Sequence, residues 1–360
     1  MSRKGFWDID WMLLASVGAL VIISLVTLFS INLDFFKSQF IFLIFSVLAF
    51  LFFSQTNSKI LSNYSKPIYF GSLILLALVL FLGIEARGST RWIEFLGLRA
   101  QFSEILKPFL AISLASYLAQ KKVFNFKSLV EAFVLLAPVV FLIFFQPDLG
   151  NALIYGAIVL AALVYVGFSF KFFLGLFLPL VALFPVIWHF LHDYQKQRVL
   201  TFLDPSRDPL GTSYNVIQSV IAVGSGMIMG RGLGQGTQSG LRFLPERHTD
   251  FIFATISEQL GFIGTAIVLL CFAFLLYRIF KIFLNSDEGF SKNFSAIVFF
   301  AFLIQIFVNI GMNVGIIPIV GVTLPFVSYG GSSLLSNFIF LGLLTSVIRS
   351  TKERQVLEIK

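Results

Sequence analysis

Residues 293–348, NFSAIVFFAFLIQIFVNIGMNVGIIPIVGVTLPFVSYGGSSLLSNFIFLGLLTSVI, run for 56 positions without one charged side chain. As a single helix the stretch would be about 84 Å long, far beyond the ~30 Å hydrocarbon core of a bilayer. Its middle, 311–331 (GMNVGIIPIVGVTLPFVSYGG), is rich in Gly and Pro, which interrupt helices. The stretch therefore predicts two membrane-spanning helices joined by an irregular connection.

Other charge-free stretches lie at 11–33, 38–58, 67–84, 132–147, 149–170, 172–192 and 259–277, each about one span long. A shorter one, 108–120, reaches span length only if Glu104 and Lys107 belong to its helix. The expected architecture is an all-α polytopic membrane protein of about ten helices. Composition agrees. The chain of 360 residues is 58% hydrophobic, with 46 Phe. Only 12% is charged, half of the roughly 25% usual in soluble domains. A soluble enzyme, a disordered chain and a disulfide scaffold are excluded, and the single Cys271 forbids an intrachain disulfide. No cleavable signal peptide is expected: the first apolar run is span-length and lacks a small-residue cleavage site, so it reads as a permanent helix.

Ten spans place both termini on one side. With the termini cytoplasmic, 15 of the 26 Lys and Arg face inward, and six of the others sit in one long loop. Long loops carry little weight in the positive-inside rule. The net charge of +8 is thus a topology signal rather than a nucleic-acid patch. The reading is one membrane domain, 1–360, with a large extracytoplasmic loop, 193–250, between helices seven and eight.

Polar residues out of place in such a chain gather at the outer helix ends. Glu104 and Lys107 stand three apart, one face of a helix. They either position helix four or wall an outer-facing cavity, and charge at membrane depth is a functional signal. Asp148, in QPDLG, either caps the next helix or joins that cavity. Segment 224–240, GSGMIMGRGLGQGTQSG, holds seven glycines and Arg231. It reads as a re-entrant loop or as a backbone cradle for a diphosphate; no P-loop lysine follows. In LPERHTDFIFATISEQLG (244–261), Glu246, Arg247, His248 and Asp250 precede an apolar helix that carries Glu258 two turns in. Thr249 or Asp250 suits an N-cap, and a carboxylate at a helix mouth also suits a general base. His189 and His192 have helical spacing but no third ligand, a poor zinc site.

Taken together, GSTRWIEFLGLRAQFSEILK, QPDLG, the run from FLDPSRDPLGTSYN to HTDFIFATISEQLGFIG, and NIGMNVGIIPIVGVTLPFVSYGGSSLL resemble the SEDS (shape, elongation, division and sporulation) family over about 85–345. GTQSxLxFLPE before HTDFIF, and NIGM, are similar to its elongation branch. The resemblance implies a ten-helix peptidoglycan glycosyltransferase of the bacterial cytoplasmic membrane that polymerises lipid II on the extracytoplasmic side. It also implies a class B penicillin-binding protein as crosslinking partner, within a wider elongation complex of membrane proteins. Asp250 matches the family's essential aspartate, Glu104 and Lys107 its charged pair, and Arg91 the arginine of its first outer loop. Ser257-Glu258-Gln259 departs from the more usual adjacent acidic pair and leaves Glu258 alone.

Glycosyl transfer from a lipid diphosphate needs a base at the acceptor hydroxyl and positive charge for the leaving diphosphate. Asp250 is the candidate base. Arg91, Lys107, Arg198 and Arg231 are candidates for the charge, with His248 and Asp148 in support. A divalent cation, Mg or Mn, would share that work, although no ligand set is evident. A lipid II flippase is the rival reading. Against it, the polar residues crowd one leaflet, whereas transporter sites lie near the midplane between repeats. A pure scaffold leaves Glu104, Lys107 and Asp250 without a purpose.

Overall fold

The computed structural model describes residues 9–86, 89–95, 98–121, 125–190, 212–286 and 289–358, with four isolated positions between 190 and 212. The helices are α1 (Trp11–Ile31), α2 (Leu33–Ser54), α3 (Ser58–Asn63), α4 (Ser65–Leu82), α5 (Phe102–Ile105), α6 (Lys107–Ala119), α7 (Phe126–Phe145) and α8 (Leu149–Tyr165). Then come α9 (Phe170–Ala182), α10 (Phe184–Phe190), α11 (Thr212–Ser225), α12 (Thr237–Gly240), α13 (Ile252–Asn285), α14 (Phe290–Asn313) and α15 (Gly331–Glu358). Most charge-free stretches fall on one helix each; 172–190 is divided between α9 and α10, and 293–348 between α14 and α15. Among the described residues eight helical segments are long and apolar enough to cross a bilayer, α5 and α6 together supplying one of these. Helix α8 is shorter, as are α9 and α10.

Local chemistry sets the helix ends. Asp10 accepts from Leu13 N to cap α1. Asn32 closes α1 and caps α2 through Asp34 N, making a tight antiparallel pair. Helix α15 packs along α2 and is the most enclosed of the spanning helices, while α14 lies against α6, α8 and α13. Phe52, Phe81 and Leu270 are among many large apolar side chains that point outward, as a lipid-facing surface requires.

Three features depart from expectation or refine it. The segment between α4 and α5 is not helical: β1 (Ile84–Ala86), β2 (Ser89–Phe95) and β3 (Leu98–Ala100) form a small antiparallel sheet in the order β1-β2-β3. Helix four is one span, Phe102–Ala119, that includes Glu104 and Lys107. Its hydrogen-bond ladder is locally irregular at Leu106, which keeps helical dihedrals, because Pro108 lacks the N–H that would bond back to Glu104. The outer loop, where described, packs down on the bundle. Its helix α11 covers the expected Tyr214–Val223 and lies on α13, with Ser219 Oγ donating to Asn313 O at 2.8 Å.

Helix α13 is itself broken at Gly261, whose φ of 67° only glycine adopts easily. The glycine-rich segment enters the break. Arg231 N and Gly232 N donate to the Glu258 and Gln259 carbonyls, at 2.9 and 3.0 Å. Phe262 N and Ile263 N donate in return to the Met227 and Ile228 carbonyls, at 2.8 and 3.2 Å. A Cβ on Gly226 would sit 1.8 Å from the Ser257 carbonyl oxygen, so the glycines there admit backbone against backbone.

Candidate functional site

The turn before α13 is fastened through its main chain. Thr255 Oγ1 donates to Arg247 O at 3.0 Å, and Tyr329 N to His248 O at 2.8 Å. Ser328 Oγ donates to Thr249 O at 2.6 Å. Asn309 and Asn313 Nδ2 both donate to Asp250 O, at 3.1 and 2.9 Å. Four consecutive carbonyls are thus held by α13, by α14 and by the connection to α15. Arg247, His248, Thr249 and Asp250 are all half-buried, and Thr249 Oγ1 donates to Glu246 O and Oε2 at 3.3 and 3.2 Å. The residue opening α13 is Phe251, without a side-chain cap. Asn313 Oδ1 accepts from Ala254 N at 3.0 Å, so an asparagine from α14 does the work assigned in principle to Thr249 or Asp250. The His248 ring stacks on Phe35 with centroids 4.1 Å apart, which anchors it rather than offering it to a ligand. Burial, and then the Arg242 guanidinium, push the Arg247 pKa down. This crowded cation is one that an anion would relieve.

A second cluster lies at the outer ends of α5–α8. Glu104 and Lys107 are both buried and pair at 2.8 Å. Asp148, buried too, accepts from Arg91 Nη1 at 3.3 Å, Gln101 Nε2 at 2.5 Å, Ser103 Oγ at 3.2 Å and Asn151 Nδ2 at 2.9 Å. It also caps α8 through Asn151 N. Asp148 therefore caps α8, as one reading of the sequence had it, and is also the hub of a buried polar cluster. Tyr155 Oη donates to Ser103 O at 2.8 Å, closing the group over an apolar cavity lined by Lys107, Tyr69, Ile158 and Phe340.

The connection 314–330 joins the two clusters. Gly150 lies so close to Val320 that a Cβ would be 2.1 Å from its carbonyl oxygen. Gly321, next along, faces Asp250 Oδ2, with 3.6 Å to the position of a Cβ. Asn309 Nδ2 holds the Val322 carbonyl at 2.7 Å, Thr323 Oγ1 meets Ser333 Oγ at 2.8 Å, and Gln101 N donates to Ser332 Oγ at 2.8 Å.

Glu258 does not join either group. It is fully buried, and its carboxylate accepts from Gln238 N at 2.7 Å, Ser239 N at 2.8 Å and Thr237 Oγ1 at 3.3 Å. Its part is to hold α12 and the glycine segment, because an isolated buried carboxylate must be satisfied by donors. The glycines serve the close approach to α13 rather than an open cradle. Arg231 is exposed on that segment and its Nε donates to Ser225 O at 3.2 Å. Arg198 lies outside the described residues. Among the described residues no three His, Cys, Asp or Glu gather as metal ligands. Sequence reasoning missed Asn309, Asn313, Gln101, Ser103 and Asn151. A signal existed for the first two, which stand four apart in an apolar helix where an amide needs a partner.

The match to known proteins is broad. Residues 7–353 fit the model of the cell cycle protein family FTSW_RODA_SPOVE. The peptidoglycan glycosyltransferase MrdB of Escherichia coli K12 is 35% identical over 355 residues, 96% of each chain. A probable peptidoglycan glycosyltransferase FtsW of Geobacter metallireducens is 36% identical over 324 residues, 87% of this chain and 84% of that one. A chain of a peptidoglycan synthase complex that coordinates polymerization and crosslinking superposes with a TM-score of 0.83 at 31% identity, covering 96% and 99%. The rod shape determining protein RodA of Thermus thermophilus gives 0.73 at 28%, covering 96% and 98%. With its multi-pass helical bundle, the chain belongs to the FtsW/RodA/SpoVE family of membrane proteins.

Proposed function

We propose that this chain is a peptidoglycan glycosyltransferase of cell-wall elongation, with its active site at the Asp250 turn. The carrying observation is the fastening of four consecutive carbonyls from Arg247 to Asp250. Such a turn fixes the backbone that carries the Asp250 carboxylate in one place, which a base acting on a positioned hydroxyl requires. Asp250 takes the proton of the acceptor sugar hydroxyl as its oxygen attacks the donor anomeric carbon. The bond to the lipid diphosphate breaks as the new glycosidic bond forms. Arg247 and Arg242 supply the charge that receives the diphosphate. The Glu104–Lys107 and Arg91–Asp148 pairs neutralise each other within the bundle, so they shape the wall of the site rather than meet the leaving group.

The substrate is lipid II, delivered laterally by the bilayer of the bacterial cytoplasmic membrane. The Asp250 side faces outward and both termini face the cytoplasm. The partner is a class B penicillin-binding protein, in keeping with the synthase complex that the fold resembles. The test is reconstitution with labelled lipid II in detergent, where no bilayer exists to flip substrate across. Polymer that appears with the native chain and disappears with Asp250→Asn supports the enzyme. Lipid II movement in vesicles with no polymer in either setting overturns it in favour of a flippase.

A further inference from the structure

The tip of the glycine-rich segment, Met227-Ile228-Met229, carries three large apolar side chains that are 80%, 65% and 77% exposed. On an aqueous loop this would be an unprotected patch. Its height in the molecule gives another explanation. Helix α1, 21 residues long, crosses the bilayer and ends at Ile31. Ser30 at that end donates to Gln259 Oε1 at 2.8 Å, and a Cβ on Gly234 would be 3.5 Å from the Ser30 carbonyl oxygen. Gln259 and Gly234 are therefore level with the end of a spanning helix. Phe262 and Ile263 lie one turn deeper, and these are the residues whose N–H groups bond the Met227 and Ile228 carbonyls. The tip sits below the rim of the bundle on the Asp250 side.

Its backbone suits that depth. Gly230 N donates to Gly226 O at 2.8 Å, and the next two N–H groups are taken by α13. With the Met227 and Ile228 carbonyls bonded by α13 as well, much of the main chain around the tip is satisfied within the protein, as non-helical backbone at membrane depth requires. The exposed side chains continue into Phe262, Ile263, Ile267 and Leu270, all exposed on the face of α13 that spans the bilayer. Arg231 follows the tip one turn nearer the rim, level with Glu258, where a guanidinium meets lipid phosphates.

We propose that Met227, Ile228 and Met229 form a re-entrant contact with the lipid of the leaflet on the Asp250 side. The occupant of this patch is the bilayer itself. Methionine suits a disordered acyl environment because its thioether side chain is flexible and apolar. The contact moors the segment whose next residues bind the Glu258 carboxylate, and it is independent of the chemistry at Asp250. The experiment uses the full chain in lipid bilayers in a Cys271→Ser background. Spin labels are placed through Met229→Cys and Ile228→Cys, with Leu270→Cys and Arg99→Cys as references for the lipid-facing helix and the exposed sheet. Collision rates are read with oxygen, which concentrates among acyl chains, and with a water-soluble nickel chelate. The expected oxygen-to-nickel ratio at 228 and 229 equals that at 270 and is several-fold above that at 99. A ratio as low as at 99 overturns the contact. So does shielding from both reagents, which means another protein surface covers the tip. Met227→Cys replaces whichever labelled variant fails to fold.

Discussion

Asn313 grips the Asp250 turn at both ends: its Nδ2 donates to Asp250 O at 2.9 Å and its Oδ1 accepts from Ala254 N at 3.0 Å. One fully buried amide from α14 thus sets where the turn stops and where α13 begins. Neither bond depends on the Asp250 carboxylate, so the place of Asp250 and the chemistry of Asp250 are separable by mutation.

Asn313→Ala leaves the buried Ala254 N–H without its acceptor and Asp250 O with Asn309 Nδ2 alone, at a cost of about 1–3 kcal/mol for the orphaned donor. Asn313→Asp keeps an acceptor for Ala254 N but no longer donates to Asp250 O. The expected result is a strong loss of polymerisation in Asn313→Asp with a smaller drop in melting temperature than in Asn313→Ala. Both are read by a lipid II polymerisation assay beside thermal unfolding in detergent. Wild-type activity in Asn313→Asp would show that the carbonyl contact does not position the site.

Asp250→Asn is the sharper test of chemistry. The first residue of α13 receives no side-chain cap, so the isosteric amide should leave the melting temperature within a degree or two of wild type. Loss of a positioned base is worth about 10² to 10⁴ in rate. A folded Asp250→Asn protein with near-normal polymerisation would remove Asp250 from the mechanism.

Glu258→Gln should behave in the opposite way. The carboxylate accepts three hydrogen bonds from residues 237–239 in a fully buried place, and Gln offers one acceptor oxygen where two now serve. The expected cost is roughly 1–3 kcal/mol in stability. The activity remaining should track the folded fraction, as measured by size-exclusion recovery. A fully folded Glu258→Gln protein without activity would return Glu258 to the candidate base list.

For the Glu104–Lys107 pair, Lys107→Ala should destabilise by about 3–5 kcal/mol, because it strands a buried carboxylate. The double change Lys107→Met with Glu104→Gln removes both charges and should recover most of that loss. Recovered stability with recovered polymerisation means the pair shapes the bundle. Recovered stability without activity means that one of the charges acts on substrate.

The helices were legible because each rests on local information. An apolar stretch of span length between charges has no alternative to a helix in lipid, where every backbone group must be satisfied within its own segment. The re-entrant packing of 224–236 was only half legible. The seven glycines announced unusual backbone, but whether it cradles an anion or lies against another chain segment depends on what stands opposite. Here that is the break at Gly261. The span Phe102–Ala119 was legible because the stretch 108–120 is too short without Glu104 and Lys107, and Pro108 marks the local irregularity at Leu106.

Sequence alone thus determined the membrane bundle, the outer loop and the residue types available for catalysis, since hydrophobic period, charge and chain punctuation act over a few residues. Tertiary structure decided which polar residues work together. Asp250 and Asn313 are 63 positions apart, Arg91 and Asp148 are 57 apart, and Gln101 meets Ser332 across 231. Asp148 and Glu258 are both carboxylates beside an apolar helix. One became a hub and the other an anchor because the donors that reach each come from different segments. Those partners are supplied by packing, which no local pattern in the chain encodes.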